Sequence, residues 1–181
     1  MDIKKGISYI AFGFLFTLLN INLTLNGSSI NIMPDFVGWI LMFLAFDHLG
    51  HYVENKAYLK WVALILAILT GIIWVYGLIK PDLNIDIVKM VVSFVSVVFM
   101  FILFGVLEEV ARDKAPIYAK NISMLKIVNL VLYVAFFVTA LLMTKDKDIF
   151  AMLAFLFGSG ALVAAIITAV TLLKFRLVIE D

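Results

Sequence analysis

Two groups of side chains in this sequence have the types and spacing to do chemistry. The first is polar and almost uncharged. Gly13, Thr17, Asn20 and Thr24 recur at intervals of four, three and four, and the chain then runs through Asn22, Asn26, Gly27, Ser28, Ser29 and Asn31 to Pro34-Asp35. On a continuous helix those intervals form one stripe on one face. A single carboxylate with no basic group beside it suits a neutral polar or cationic ligand, with Thr17, Asn20, Asn22, Asn31 and Asp35 lining the site. The same residues also have a structural reading. Small and hydroxyl side chains hold transmembrane helices together, each hydrogen bond contributing about 0.6–2 kcal/mol. Pro and Asp are common at helix starts, where the dipole favours a carboxylate, and Asn-Gly makes a turn.

The second group is acidic and imidazole-bearing: Asp47, His48, His51 and Glu54, with Glu108 and Glu109 further along. Asp47, His51 and Glu54 share a helical face, and carboxylates and imidazoles converging from two helices can hold a metal. No Glu-x-x-His pair comes from a second helix, however, so solvated helix ends explain the group more simply. The run Glu108-Glu109-Val-Ala-Arg112 resembles the paired-glutamate motif of intramembrane CAAX-type proteases. It departs from that motif in two ways: the arginine comes one residue early, and both histidines precede the glutamates. Glu108 and Arg112 read equally as an i,i+4 ion pair. The expectation is a protein that is not an enzyme and has no cofactor or metal.

The elements that carry these groups follow from composition. Of 181 residues, 65% are hydrophobic and 15% charged, against about 45–50% and about 25% in a soluble domain. A net charge of +1 gives no pull towards nucleic acid, and with zero cysteines there is no disulfide, thiolate nucleophile or cysteine-ligated metal. The solvent is a lipid bilayer. About 20 apolar residues as helix cross its core. Six stretches are read as spans: Ile7–Leu25, Asp35–Leu49, Trp61–Ile79, Ile87–Leu107, Lys126–Met143 and Ile149–Leu173. The expected fold is all-α, one domain of six transmembrane helices over residues 1–181.

Charge sets the orientation. With a cytoplasmic N-terminus, ten of the fourteen basic residues fall inside and only Lys80, Lys89, Lys145 and Lys147 outside, which predicts both termini in the cytoplasm. The first apolar run is too long for a signal peptide and lacks a small-x-small cleavage site, so it reads as a retained helix. Trp39, Trp61, Trp74, Tyr52 and Tyr76 are expected as interfacial anchors. Ala154, Gly158, Ala161, Ala165 and Thr168 form a small-residue stripe on the last helix, and Asn129 and Tyr133 should bond across the bundle. The segment from Glu108 to Lys126 is expected to be the largest outside the membrane, suited to anionic headgroups or a partner subunit. No acidic residue falls at an expected midplane, where proton relays and charge-coupled pumps need one.

The stretch Asn31-Ile-Met-Pro34-Asp35-Phe36-Val37-Gly38-Trp39, with Gly105-Val-Leu-Glu108-Glu109, resembles small multi-pass proteins of Firmicutes-type bacteria whose second helix opens on a Pro-Asp-Phe-x-Gly turn. That resemblance implies the bacterial cytoplasmic membrane and assigns no activity. In size the chain is also similar to substrate-binding subunits of energy-coupling-factor transporters and to the rod-shape protein MreD, without the helix-one alanine motif of the former or the Gly-Leu-x-x-Asp segment of the latter. The expected function is therefore binding of a small ligand or lipid from the outer face, as a transporter or transporter-associated subunit. The alternative is a structural or regulatory subunit acting through helix contacts with a partner.

Overall fold

A backbone in hydrocarbon must satisfy its own polar groups, so apolar runs of this length wind into helices. A computed structural model describes residues 2–18, 22–25, 28–31, 34–79, 86–142 and 147–179. Its helices are α1 (Ile3–Leu18), α2 (Asp35–Leu49), α3 (Tyr58–Ile79), α4 (Asp86–Lys114), α5 (Pro116–Leu142) and α6 (Lys147–Val178). Five stretches are long and apolar enough to cross a membrane: Asp35–Lys56, Tyr58–Ile79, Ile87–Lys114, Pro116–Thr139 and Phe155–Val178. Their outer surfaces are apolar, with Trp61, Ile72, Phe94 and Phe155 all exposed. Such a surface is stable against lipid and not against water, and the chain is a multi-pass membrane protein by this measure.

The first helix differs from expectation. α1 has 16 residues, about 24 Å, and is not among the five. The segment read as its outer third is instead part of a hairpin, β1 (Asn22–Leu25) antiparallel to β2 (Ser28–Asn31). The bundle is all-α; this hairpin is its one departure among the described residues. The single stripe Gly13-Thr17-Asn20-Thr24 is therefore broken, since Thr24 lies in a strand, not on the helix. Asn20, Asn26 and Gly27 lie outside the described residues, as do Lys80 and Lys145. The physical reason is in the sequence. Asn20 to Asn26 alternates polar and apolar residues strictly, which is the period of a strand, and Asn-Gly between two such runs is a strong hairpin signal. The register opposes Asn22 to Asn31 and Thr24 to Ser29, with Leu23 opposite Ile30 between them.

α2 spans the range the sequence predicts. It follows extended Pro34 and stops at Gly50, whose φ of 55° is left-handed backbone that a Cβ disfavours. A 3-10 helix, Gly50–Lys56, leads to α3. The segment from Glu108 to Lys126 is helical, with the break at Ala115-Pro116 where the sequence divides the extension of the fourth helix from that of the fifth. Only Ala115 separates α4 from α5, its N–H bonded to the Ala111 carbonyl and its carbonyl to the Tyr118 N–H, both at 2.9 Å. Pro116 suits the first turn of α5 because its missing N–H would have had no helical partner.

Each helix packs on its neighbours in sequence, and α6 returns to α1, closing a ring. Phe14, Phe99 and Phe104 fill its interior, Phe14 edge-on to Phe104 at 5.5 Å and Phe99 against Trp39 at 5.2 Å. Trp39 is thus a core residue, not an interfacial anchor. It sits beside Gly38 on the face of α2 turned inward, whereas Trp61 and Tyr76 are exposed.

α1 and α2 approach each other closely at two glycines. A Cβ on Gly13 would lie 2.7 Å from the Gly38 carbonyl oxygen, and one on Gly38 would lie 2.5 Å from the Gly13 oxygen and 2.7 Å from Thr17 Cγ2. Seven residues back, a Cβ on Gly6 would meet His48 Cβ at 3.1 Å and the Ala45 oxygen at 3.2 Å. Gly6, Gly13 and Thr17 face Gly38, Met42, Ala45 and Leu49 in antiparallel order, the small-residue packing that membrane helices use. Gly105, by contrast, has nothing within 4 Å of an added Cβ. Gly38→Ala should therefore lower thermal stability in detergent by about 1–3 kcal/mol, as overpacking does. Gly105→Ala should cause no loss, since Ala is the better helix former. Melting curves of the two variants side by side check this, and equal behaviour would contradict it.

Candidate functional site

α2 places Asp35 at its first position, at the hairpin end of the bundle. A carboxylate in the first turn ordinarily caps its own helix. Here it does not. Asp35 is half-buried, and its Oδ1 is shielded from solvent with no hydrogen-bond partner among the described residues. Next to it, Phe36 meets Trp74 of α3 edge-to-face at 5.7 Å, and Phe36 Cβ seats 3.6 Å from where a Cβ on Gly71 would be. β2 also lies against α3. A carboxylate oxygen left without a partner receives cations and hydrogen-bond donors.

The other expected site residues divide. Thr17 belongs to the helix contact. Its hydroxyl donates to the Phe14 carbonyl at 3.0 Å and its methyl packs at Gly38. Asn22 and Asn31 are brought together by the hairpin as directly opposed residues, which a helical reading of the first segment could not have joined. Phe36, Gly71 and Trp74 did not figure in the sequence expectation for this site. Spacing alone could not have linked α3 to α2, although Trp74 was visible as a candidate interfacial aromatic.

The acidic and histidine group is at the opposite end, where Asp47, Glu108 and Glu109 are taken up in ion pairs and Glu54 is exposed. Glu108, buried, accepts Arg112 Nη2 on one oxygen at 2.6 Å and Lys126 Nζ on the other at 2.7 Å. Glu109 takes Lys56 on both oxygens, at 2.8 and 2.9 Å. Asp47 pairs with Lys60, and the Tyr52 hydroxyl donates to Asp113. His51 stacks on Tyr52 with centroids 4.0 Å apart, and His48 lies 5.7 Å from the Tyr9 ring. Among the described residues no three His, Asp or Glu side chains gather closely enough to hold a metal ion. The pairs Lys56–Glu109 and Tyr52–Asp113 run in parallel, one helical turn apart, and fasten the 3-10 helix to the end of α4.

Asn129 of α5 does bond across the bundle, donating to Thr168 of α6 at 2.9 Å. Tyr133 does not. Its hydroxyl is buried with no partner among the described residues. Gly158 and Gly160 of the small-residue stripe region on α6 receive Phe136 and Leu132 of α5 at 3.4 Å from an added Cβ, so that face is spent on internal packing.

The chain matches no family model, and neither a curated protein nor a solved structure is similar to it.

Removing one carboxylate at a time separates the two acidic partners. Glu108→Gln leaves a largely buried lysine without its counter-charge and should destabilise the bundle by about 3 kcal/mol. Glu109→Gln breaks a pair whose carboxylate is half exposed and should change stability by about 1 kcal/mol or less. Denaturation in detergent measures both; a larger effect at Glu109 would contradict the assignment.

Proposed function

We propose that this is a non-enzymatic protein of the bacterial cytoplasmic membrane that binds a small neutral or cationic polar ligand, or a lipid headgroup, from the outer face. In this reading α1 joins the five longer helices to give six spans, with both termini inside and the ion-paired end in the cytoplasm. The excess of basic residues on that side supports the orientation. The outer mouth is formed by Asp35, by Asn22 and Asn31 on the hairpin, by Asn20 and by the outer end of the Thr17 face. A partner subunit supplies any energy for transport.

The observation that carries the reading is Asp35. A carboxylate oxygen withdrawn from water and left unpaired costs several kcal/mol, and a ligand that donates to it recovers that cost. The rival reading, a structural or regulatory subunit whose polar stripe is helix glue, has the Gly13–Gly38 contact in its favour. That contact accounts for Gly13 and Thr17. It leaves the unpaired Asp35 oxygen without a role.

The two readings separate in native mass spectrometry of protein extracted gently from its own membranes. A bound small molecule or lipid is expected on the wild type. Asp35→Asn should lose it while remaining folded, because a charge-assisted hydrogen bond contributes about 1.5–3 kcal/mol and its loss weakens binding roughly tenfold to a hundredfold. A bare wild-type chain, or equal adducts on both proteins, would contradict binding at Asp35.

A further inference from the structure

A second polar site lies away from this mouth, in a cleft between α4 and α5 lined by Met100, Phe101, Lys126, Asn129 and Tyr133. It opens near the ion-paired end, where Lys126 closes on Glu108 and lies 5.5 Å above the Phe101 ring. Lys126, Asn129 and Tyr133 follow one another at intervals of three and four, so a single face of α5 carries all three into the cleft.

The hydrogen-bond accounts of Asn129 and Tyr133 do not close. Asn129, 3% exposed, spends both amide hydrogens, one on the Leu125 carbonyl at 2.8 Å and one on Thr168 Oγ1 at 2.9 Å. Thr168 donates its own hydrogen to the Ala164 carbonyl at 2.7 Å and can therefore only accept from Asn129. Turning the amide over would set its oxygen against the Leu125 carbonyl, acceptor to acceptor, so the orientation is fixed. Asn129 Oδ1 is left buried, able only to accept, with no donor among the described residues. The Tyr133 hydroxyl, one turn further on and able to donate, is also buried with no partner among the described residues. Each unpaired group in a membrane interior costs several kcal/mol.

We propose that the α4–α5 cleft is a binding site for one water molecule, which donates to Asn129 Oδ1 and accepts from the Tyr133 hydroxyl. The required occupant must donate and accept at once, which a lipid ester carbonyl cannot do. The cleft has room for a water-sized occupant and not for a larger one. The water links Tyr133 to Asn129 on the same helix, and Asn129 in turn donates to Thr168 of α6. The site is independent of Asp35 and stands whether or not the outer mouth binds a ligand.

Radiolytic hydroxyl labelling with mass spectrometry tests it directly, because a bound water converted to a radical oxidises the side chains around it. The protein is placed in phosphatidylcholine nanodiscs, whose lipid carries no hydroxyl that could substitute for water. Met100, which lines the cleft, is the reporter, and fully buried Met42 of α2 is the internal control. Met100 should oxidise severalfold faster than Met42 in the wild type. The excess should fall in Tyr133→Phe and fall further in Tyr133→Phe with Asn129→Leu. Tyr133→Phe removes only the hydroxyl, and its melting curve confirms the fold. Equal labelling of Met100 and Met42 in the wild type would overturn the proposal, as would a Met100 excess unchanged by Tyr133→Phe.

Discussion

The structure depends on two glycines touching across a helix pair. Gly13 and Gly38 present each backbone to the other so closely that neither position has space for a methyl group. Lipid tails give helices no hydrophobic reason to associate, so contact area between close backbones is what holds them. Here it sets the register of α1 on α2. With that register fixed, Thr17 lies over Gly38, Phe14 reaches Phe104 in the ring interior, and Trp39 turns inward onto Phe99. The chain leaving α1 then returns through the hairpin to Asp35 three residues before Gly38. The proposed mouth thus hangs from a close helix joint, which holds Asp35 with its Oδ1 unpaired among the described residues.

The opposite end is built by a different force. Glu108, Glu109, Asp113 and Asp47 are each matched by a lysine, an arginine or a tyrosine hydroxyl, and the partners come from different elements. These contacts tie the α2–α3 connection to α4 and α4 to α5. Charges at this end serve the architecture, which is why the acidic and histidine residues that looked chemical in the sequence have little chemistry left to offer. At the hairpin end the Asp35 Oδ1 is buried with no partner among the described residues.

Much of this was legible in the sequence where local rules act alone. The start of α2 was legible because Pro34-Asp35 is a local helix-opening signal; Gly50, which closes it, was not picked out as a stop. The Glu108–Arg112 pair followed from spacing on a helix. The end of α1 was misread because hydrophobicity averaged over the segment hides the alternation from Asn20 to Asn26, so a strand period was taken for a continuing helix. Trp39 was misplaced for a related reason: an aromatic near a helix start reads as an interfacial anchor until the partner that buries it, Phe99 on α4, is known. The pairing of Gly13 with Gly38 and of Lys126 with Glu108 is tertiary, and no pattern within one segment encodes it. Asp35 was singled out from sequence, but the distinction between a capping carboxylate and an unpaired one exists only in three dimensions.

The most direct measurement of the central contact is solid-state NMR of the protein in lipid bilayers, with carbon-13 introduced only at glycine. Ten glycines keep the spectrum simple. A through-space cross-peak between Gly13 and Gly38 is the predicted result, since the two backbones meet well inside the about 8–10 Å axial separation of ordinary helix pairs. Assigned resonances for both glycines with no cross-peak between them would mean that α1 and α2 do not lock at this point, and the placement of the Asp35 mouth would fall with it.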